Sequence, residues 1–167
     1  MLKKFLRILL NNLDSFLKFK RVYAHCDIPC GIYDPYVAQI AAHTVLRMTS
    51  LLHELGPDSS LDKVHKIQRY TAVKERHAEL VKEEIRILWG DYFKTEHLEK
   101  YPQLHQLVFD IMKLASKTKQ EANLEAAKEL LAKVQELANI FYETKGVKPI
   151  RVKSIYPTQG EVVFYQW

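Results

Sequence analysis

His25, Cys26 and Cys30 fall within six residues, in a chain that contains only two cysteines. Thiolates and an imidazole at this spacing suit a late first-row transition metal. A further donor arises if the chain is cut between Ala24 and His25, after the small-residue pattern Val22-x-Ala24. An α-amine titrates at about 7.7–8.0, so it is able to ligate in its neutral form. The amine of His25 and the amide nitrogen of Cys26 would close a five-membered chelate, and the two thiolates would complete a square of two nitrogens and two sulfurs. Square coordination of this kind suits nickel(II) or copper(II), whereas zinc takes a tetrahedron. The imidazole of His25 would then approach axially. Taken alone, a C-x-x-x-C pair fits a small disulfide, a chance pair or a partial metal site equally well. Two thiols are too few for a disulfide framework or a four-cysteine zinc site.

These residues sit between two different kinds of sequence. Residues 1–24 repeat Leu2, Phe5, Leu6, Leu9, Leu13, Phe16 and Leu17 at helical spacing, with Lys and Arg on the other side. The segment reads as a basic amphipathic leader that is removed. The alternative is a helix that packs or touches a membrane surface. Arg7, Asn11, Asn12 and Asp14 break the apolar run that a secretory signal requires. A cytoplasmic location is therefore expected, with the Val-x-Ala pattern leaving export open. Residues 25–34 form a turn-rich hook around Pro29 and Gly31.

Asp34-Pro35 supplies an N-cap and a first helical position. Residues 35–145 then read as an all-α, antiparallel four-helix bundle. The first helix runs over about 35–54, with Val37, Ile40, Ala41, Thr44, Val45, Met48, Leu51 and Leu52 inward. Gly56-Pro57 stops it. Ser60 caps a second helix reaching Trp89, with Leu61, Val64, Ile67, Thr71, Ala78, Val81, Ile85 and Leu88 inward. Gly90 breaks it into an aromatic loop with a short helical turn, and Pro102 and Asn123 open the third and fourth helices. Residues 146–167 are rich in β-branched and aromatic types around a Pro-Thr-Gln-Gly turn, which predicts a β-hairpin-like extension.

The net charge of +5 suggests nucleic acid at first sight. Six basic residues against Asp14 alone place that entire excess in residues 1–24, and the rest of the chain holds 19 charges of each sign. A balanced body lacks the basic surface that duplex binding needs, and no apolar run approaches the ~18 residues of a stable membrane insertion.

The string HCDIPCGIYDP at 25–35 resembles the nickel hook of nickel-dependent superoxide dismutases, whose mature chains begin HCDxPCGxYDP. The likeness continues through KERHAEL, LWGDYFK at 88–94, EKYPQLHQLV at 99–108 and FYETK at 141–145, and is lost over the leader and the C-terminal extension. The resemblance implies disproportionation of superoxide to oxygen and hydrogen peroxide by Ni(III)/Ni(II) cycling, with one nickel ion per subunit. It makes His25 a ligand through its amine and, when oxidised, its imidazole; Cys26 a ligand through backbone nitrogen and sulfur; and Cys30 a ligand through sulfur. Donating thiolate and amidate ligands would lower the nickel potential into range. Pro29 matches a hook proline preceded by a cis bond. Tyr33 matches the tyrosine beside the open metal face, and Tyr92 a second tyrosine that supports it. The family also implies a homohexamer, a precursor form and a leader-removing peptidase.

The sequence departs from the family where an acidic residue on the first helix, and an arginine or polar residue on the second, orient the axial imidazole. Ala41, Ala42 and His43 stand in the first stretch and Arg76-His77 in the second. A ligating histidine needs a partner for its other nitrogen, and His43 or His77 is the candidate, against the plainer reading of a satisfied bundle histidine. Lys94 is the candidate cation for steering an anionic substrate. Two other readings remain: a non-catalytic nickel- or copper-binding four-helix bundle, and a helical interaction module with a Cys26–Cys30 disulfide.

Overall fold

The structure is a computed structural model that describes residues 31–56 and 59–166. The leader, the cleavage point, the ligands His25, Cys26 and Cys30, and the bond before Pro29 lie outside the described residues.

Helix starts follow their capping residues. At α1 (Tyr36–Glu54) the cap position falls on Pro35 and not on Asp34 as expected: the Pro35 carbonyl accepts the Gln39 N–H at 3.1 Å, and Asp34 Oδ1 accepts the Tyr36 N–H at 2.7 Å just ahead of the helix. Ser60 accepts the Lys63 N–H at 3.4 Å ahead of α2 (Leu61–Ile87). Gly90 does not break the chain into a loop as expected. The helix instead widens into a π-helical turn, Leu88–Tyr92, closed by the Phe93 N–H on the Leu88 carbonyl at 3.0 Å. The short α3 (Thr95–Lys100) follows, then α4 (Leu104–Gln120) and α5 (Leu124–Thr144). Asn123 caps α5 through the Ala126 N–H at 2.9 Å. Gly146, at φ +75°, ends it. Its N–H reaches the Glu143 carbonyl, and the Val147 N–H reaches that of Tyr142, so the last turn closes in a Schellman motif.

The long helices form a closed ring, α1 against α2 and α5, and α4 against the same two. The core includes Ala41, Val45, Ala78, Val81, Ile85, Leu104, Ile111, Leu130, Val134, Leu137 and Phe141. Two of the expected faces need correction. In α1, Val37 is 44% exposed, whereas Ala38, Gln39, Ala42, His43 and Thr49 are buried. The reason is a second covering layer, β1 (Pro149–Lys153) and β2 (Glu161–Tyr165), paired antiparallel from Pro149↔Tyr165 to Lys153↔Glu161. In α2, Leu61, Val64 and Ile67 are exposed while Lys74 is buried. The Lys74 ammonium donates to the carbonyls of Thr118, Lys119 and Glu121, where α4 ends. The α2 residues before Lys74 therefore run past the end of α4 and lose that neighbour.

The hairpin is fastened to α1 by a buried amide. Gln39 Nε2 donates to the Val163 carbonyl at 3.0 Å, and its Oε1 accepts the Val163 N–H at 2.7 Å. This pairing continues the edge of β2 as a neighbouring strand would, so the buried strand edge is satisfied.

Candidate functional site

Tyr33 leads into α1, and Tyr92 ends the π-helical turn. Their rings meet with centroids 5.6 Å apart and tilted by 49°. The last turn of α5 holds Tyr92 from beneath: Phe141 packs at 4.6 Å, and the Tyr92 hydroxyl lies 2.7 Å from Thr144 Oγ1. Thr144 gives its own proton to the Phe141 carbonyl at 2.6 Å, so Tyr92 is the donor in that pair. Burial raises the Tyr92 pKa. His97 stacks on the Tyr92 ring at 5.6 Å, and the Lys145 ammonium stands 4.6 Å from the ring centre.

One residue along from Tyr33, the carboxylate of Asp34 does more than accept the Tyr36 N–H. The Tyr142 hydroxyl lies 3.3 Å from each of its oxygens and donates to it. Tyr142 is buried, and desolvation followed by the adjacent carboxylate raises its pKa far above that of a free phenol. Its ring meets Phe141 at 5.4 Å and Tyr165 of β2 at 5.2 Å. Tyr33, Asp34, Phe141, Tyr142, Lys145, Val147 and Tyr165 together line an open cleft of about 230 Å³.

Of the two histidines considered as orienting partners, His43 is engaged through both ring nitrogens and His77 through one. His43 is buried, with Nε2 2.9 Å from the Glu161 carbonyl and Nδ1 2.8 Å from Thr158 Oγ1. A carbonyl only accepts, so the proton sits on Nε2 and Nδ1 accepts from the hydroxyl. Both ring nitrogens are thus spent on the hairpin, the satisfied arrangement, and desolvation lowers the pKa of this ring. His77 Nδ1 donates to the Val73 carbonyl of its own helix at 2.8 Å. Lys94 is exposed, and its N–H donates to His97 Nδ1 at 3.1 Å. The sequence reading attached no role to Tyr142, Thr144 or Lys145, although all lie in the FYETK run that carried part of the resemblance. Nor did it give one to Tyr165, whose surroundings depend on a hairpin docked far along the chain.

Helical bundle, tyrosine pair and hook sequence together define a class of small metalloenzyme. A profile of nickel-containing superoxide dismutases matches residues 20–145, and the chain belongs to that family. The nickel superoxide dismutase of Streptomyces coelicolor is 41% identical over 124 residues, 74% of this chain and 90% of that protein. That of Streptomyces seoulensis is 38% identical over 125 residues, 75% and 91% respectively. Among solved structures, a native nickel superoxide dismutase aligns with TM-score 0.65 at 41% identity, covering 72% of this chain and 99% of its own. One with nickel ligation of the oxidised state aligns with TM-score 0.66 at 38% identity, covering 73% and 99%.

Proposed function

We propose that this chain is a precursor whose cleavage after Ala24 frees the amine of His25, and that the mature enzyme disproportionates superoxide. The observation that carries this reading is the unbroken string HCDIPCGIYDP inside the matched residues 20–145. The donor set fits the metal: two thiolates, an amine and a deprotonated amide give the soft, strongly donating square that nickel prefers. Among the described residues no group of three His, Cys, Asp or Glu lies together, so residues 25–30 are the set on offer. Nickel held there supplies one-electron chemistry between its +3 and +2 states. Two superoxide anions and two protons then give one dioxygen and one hydrogen peroxide.

The rest falls to the chain's own residues. Tyr33 would stand at the open side of the site, where its hydroxyl orders water and limits which anions approach. Tyr92 holds that ring through their contact and is itself held by Thr144. Lys94 and Lys145 supply positive charge toward an anionic substrate. Of the two orienting candidates His77 is favoured, since its Nε2 is not engaged by a described residue whereas both nitrogens of His43 are. The enzyme is expected to be a homohexamer with one nickel per subunit. The exposed Leu61, Val64 and Ile67 on α2 offer apolar surface for such contacts. Cytoplasmic residence is supported by the polar residues that interrupt the leader.

The mature N-terminus tests the reading. Mass spectrometry of protein from its native cells is expected to find a chain beginning at His25, containing nickel and consuming superoxide. An intact Met1 on the active form would overturn it. Cys26→Ser and Cys30→Ser should each abolish nickel retention by elemental analysis.

A further inference from the structure

The match to the family ends at residue 145, yet the structure continues into a hairpin that reaches back to the start of the bundle. β2 brings Tyr165 against Tyr142 with ring centroids 5.2 Å apart. Tyr142 is 2% exposed, and its hydroxyl holds both oxygens of Asp34. Asp34 in turn holds the first turn of α1 through the Tyr36 N–H, and it is covalently next to Tyr33. A second hold on α1 runs in parallel, from Val163 to Gln39.

We propose that Tyr142 and Tyr165 are positioning residues, through which the C-terminal hairpin sets the orientation of Tyr33 by way of the Asp34 carboxylate. Two of the constraints on Tyr33 bear on this arrangement. Tyr92 meets its ring from the side, and the Tyr142–Asp34 bond fixes the backbone from which the ring projects. Both constraints originate in one turn of α5, because Phe141 and Thr144 hold Tyr92 while Tyr142 holds Asp34. The hairpin closes over the second constraint through Tyr165. The contact is long, 3.3 Å to each oxygen, and it acts by direction, since a buried ring aims one hydroxyl between both oxygens of the carboxylate.

The inference rests on the proposed role of Tyr33 at the metal, and its test separates the two. In the metal-free full chain, with tyrosines labelled at the ring Cζ carbon, Tyr142→Phe removes one hydroxyl and keeps the ring. The Tyr33 resonance should shift or broaden, while that of Tyr70 on α2 stays in place. Tyr165→Leu should move Tyr33 in the same direction by a smaller amount. Asp34→Asn retains an acceptor for the Tyr36 N–H and a polar partner for Tyr142, so Tyr33 should stay near its native position. Tyr101→Phe is the control, because it loses a tyrosine–carboxylate bond to Glu143 on the same helix without touching Asp34. In nickel-loaded mature protein, Tyr142→Phe should lower kcat/KM for superoxide about tenfold, with an altered nickel(III) resonance spectrum and unchanged nickel content. A Tyr33 resonance unmoved in Tyr142→Phe, or moved equally in Tyr101→Phe, overturns the inference. Failure of the wild-type mature protein to consume superoxide would overturn the role of Tyr33 and leave the resonance result standing.

Discussion

A single hydroxyl separates Tyr92 from phenylalanine, and its partner is a threonine whose own proton is already committed to the Phe141 carbonyl. Tyr92→Phe should therefore leave Thr144 one donor short and cost about 1 kcal/mol of unfolding free energy, read by urea denaturation. The rings around it would remain packed. Charge at the same place has a different signature. Lys145 stands over the Tyr92 ring, so Lys145→Gln should lower kcat/KM for superoxide about threefold at low ionic strength. The difference should fade toward 1 M salt, where the screening length is about 3 Å. Lys94→Gln, changing an exposed side chain further along the turn, should cost less under the same conditions. At this scale the sequence was legible in the Tyr33–Tyr92 pair, which the family likeness picked out and whose rings do meet. It was illegible for Tyr142 and Thr144, whose importance comes from what lies across a cleft. No spacing rule announces that.

The elements divide in the same way. Caps at Ser60 and Asn123 placed two helix starts, because each accepts a backbone N–H only three residues beyond it. The buried faces of α1 and α2 were harder to see, since helical periodicity shows that a face is apolar and not how many layers will cover it. The hairpin turns Gln39 and His43 inward on α1, and the shorter reach of α4 leaves Leu61 outward on α2. Two substitutions test these joints. A Cβ added at Gly160 would lie 2.9 Å from His43 Cε1, so Gly160→Ala should destabilise the chain by about 1 to 3 kcal/mol. Hydrogen exchange should then quicken first in residues 149–165. Lys74→Met would leave the carbonyls of Thr118, Lys119 and Glu121 without their shared donor, at a cost of about 2 kcal/mol in chemical denaturation.

For the whole molecule, the buried His43 links stability to pH. Its folded pKa lies below the ordinary value of 6.5, so between the two values the unfolded chain binds more protons. Stability should be fully present above about pH 6.5 and fall as the solution is acidified through the folded value. Thermal melts between pH 7.5 and 5 should show this fall, and His43→Gln should flatten it. Overall, the helical bundle was readable because its contacts are short-range and periodic. The closure between Gln39 and Val163 was not, for it joins positions 124 apart in sequence. That separation also orders events during synthesis. The strand that covers α1 emerges from the ribosome after everything it covers, so the buried face of Gln39 and His43 waits, wetted, until residues 161–165 have been made. A message truncated after Lys145 would still encode every residue of the family match, and it would yield a protein whose first helix never receives its cover.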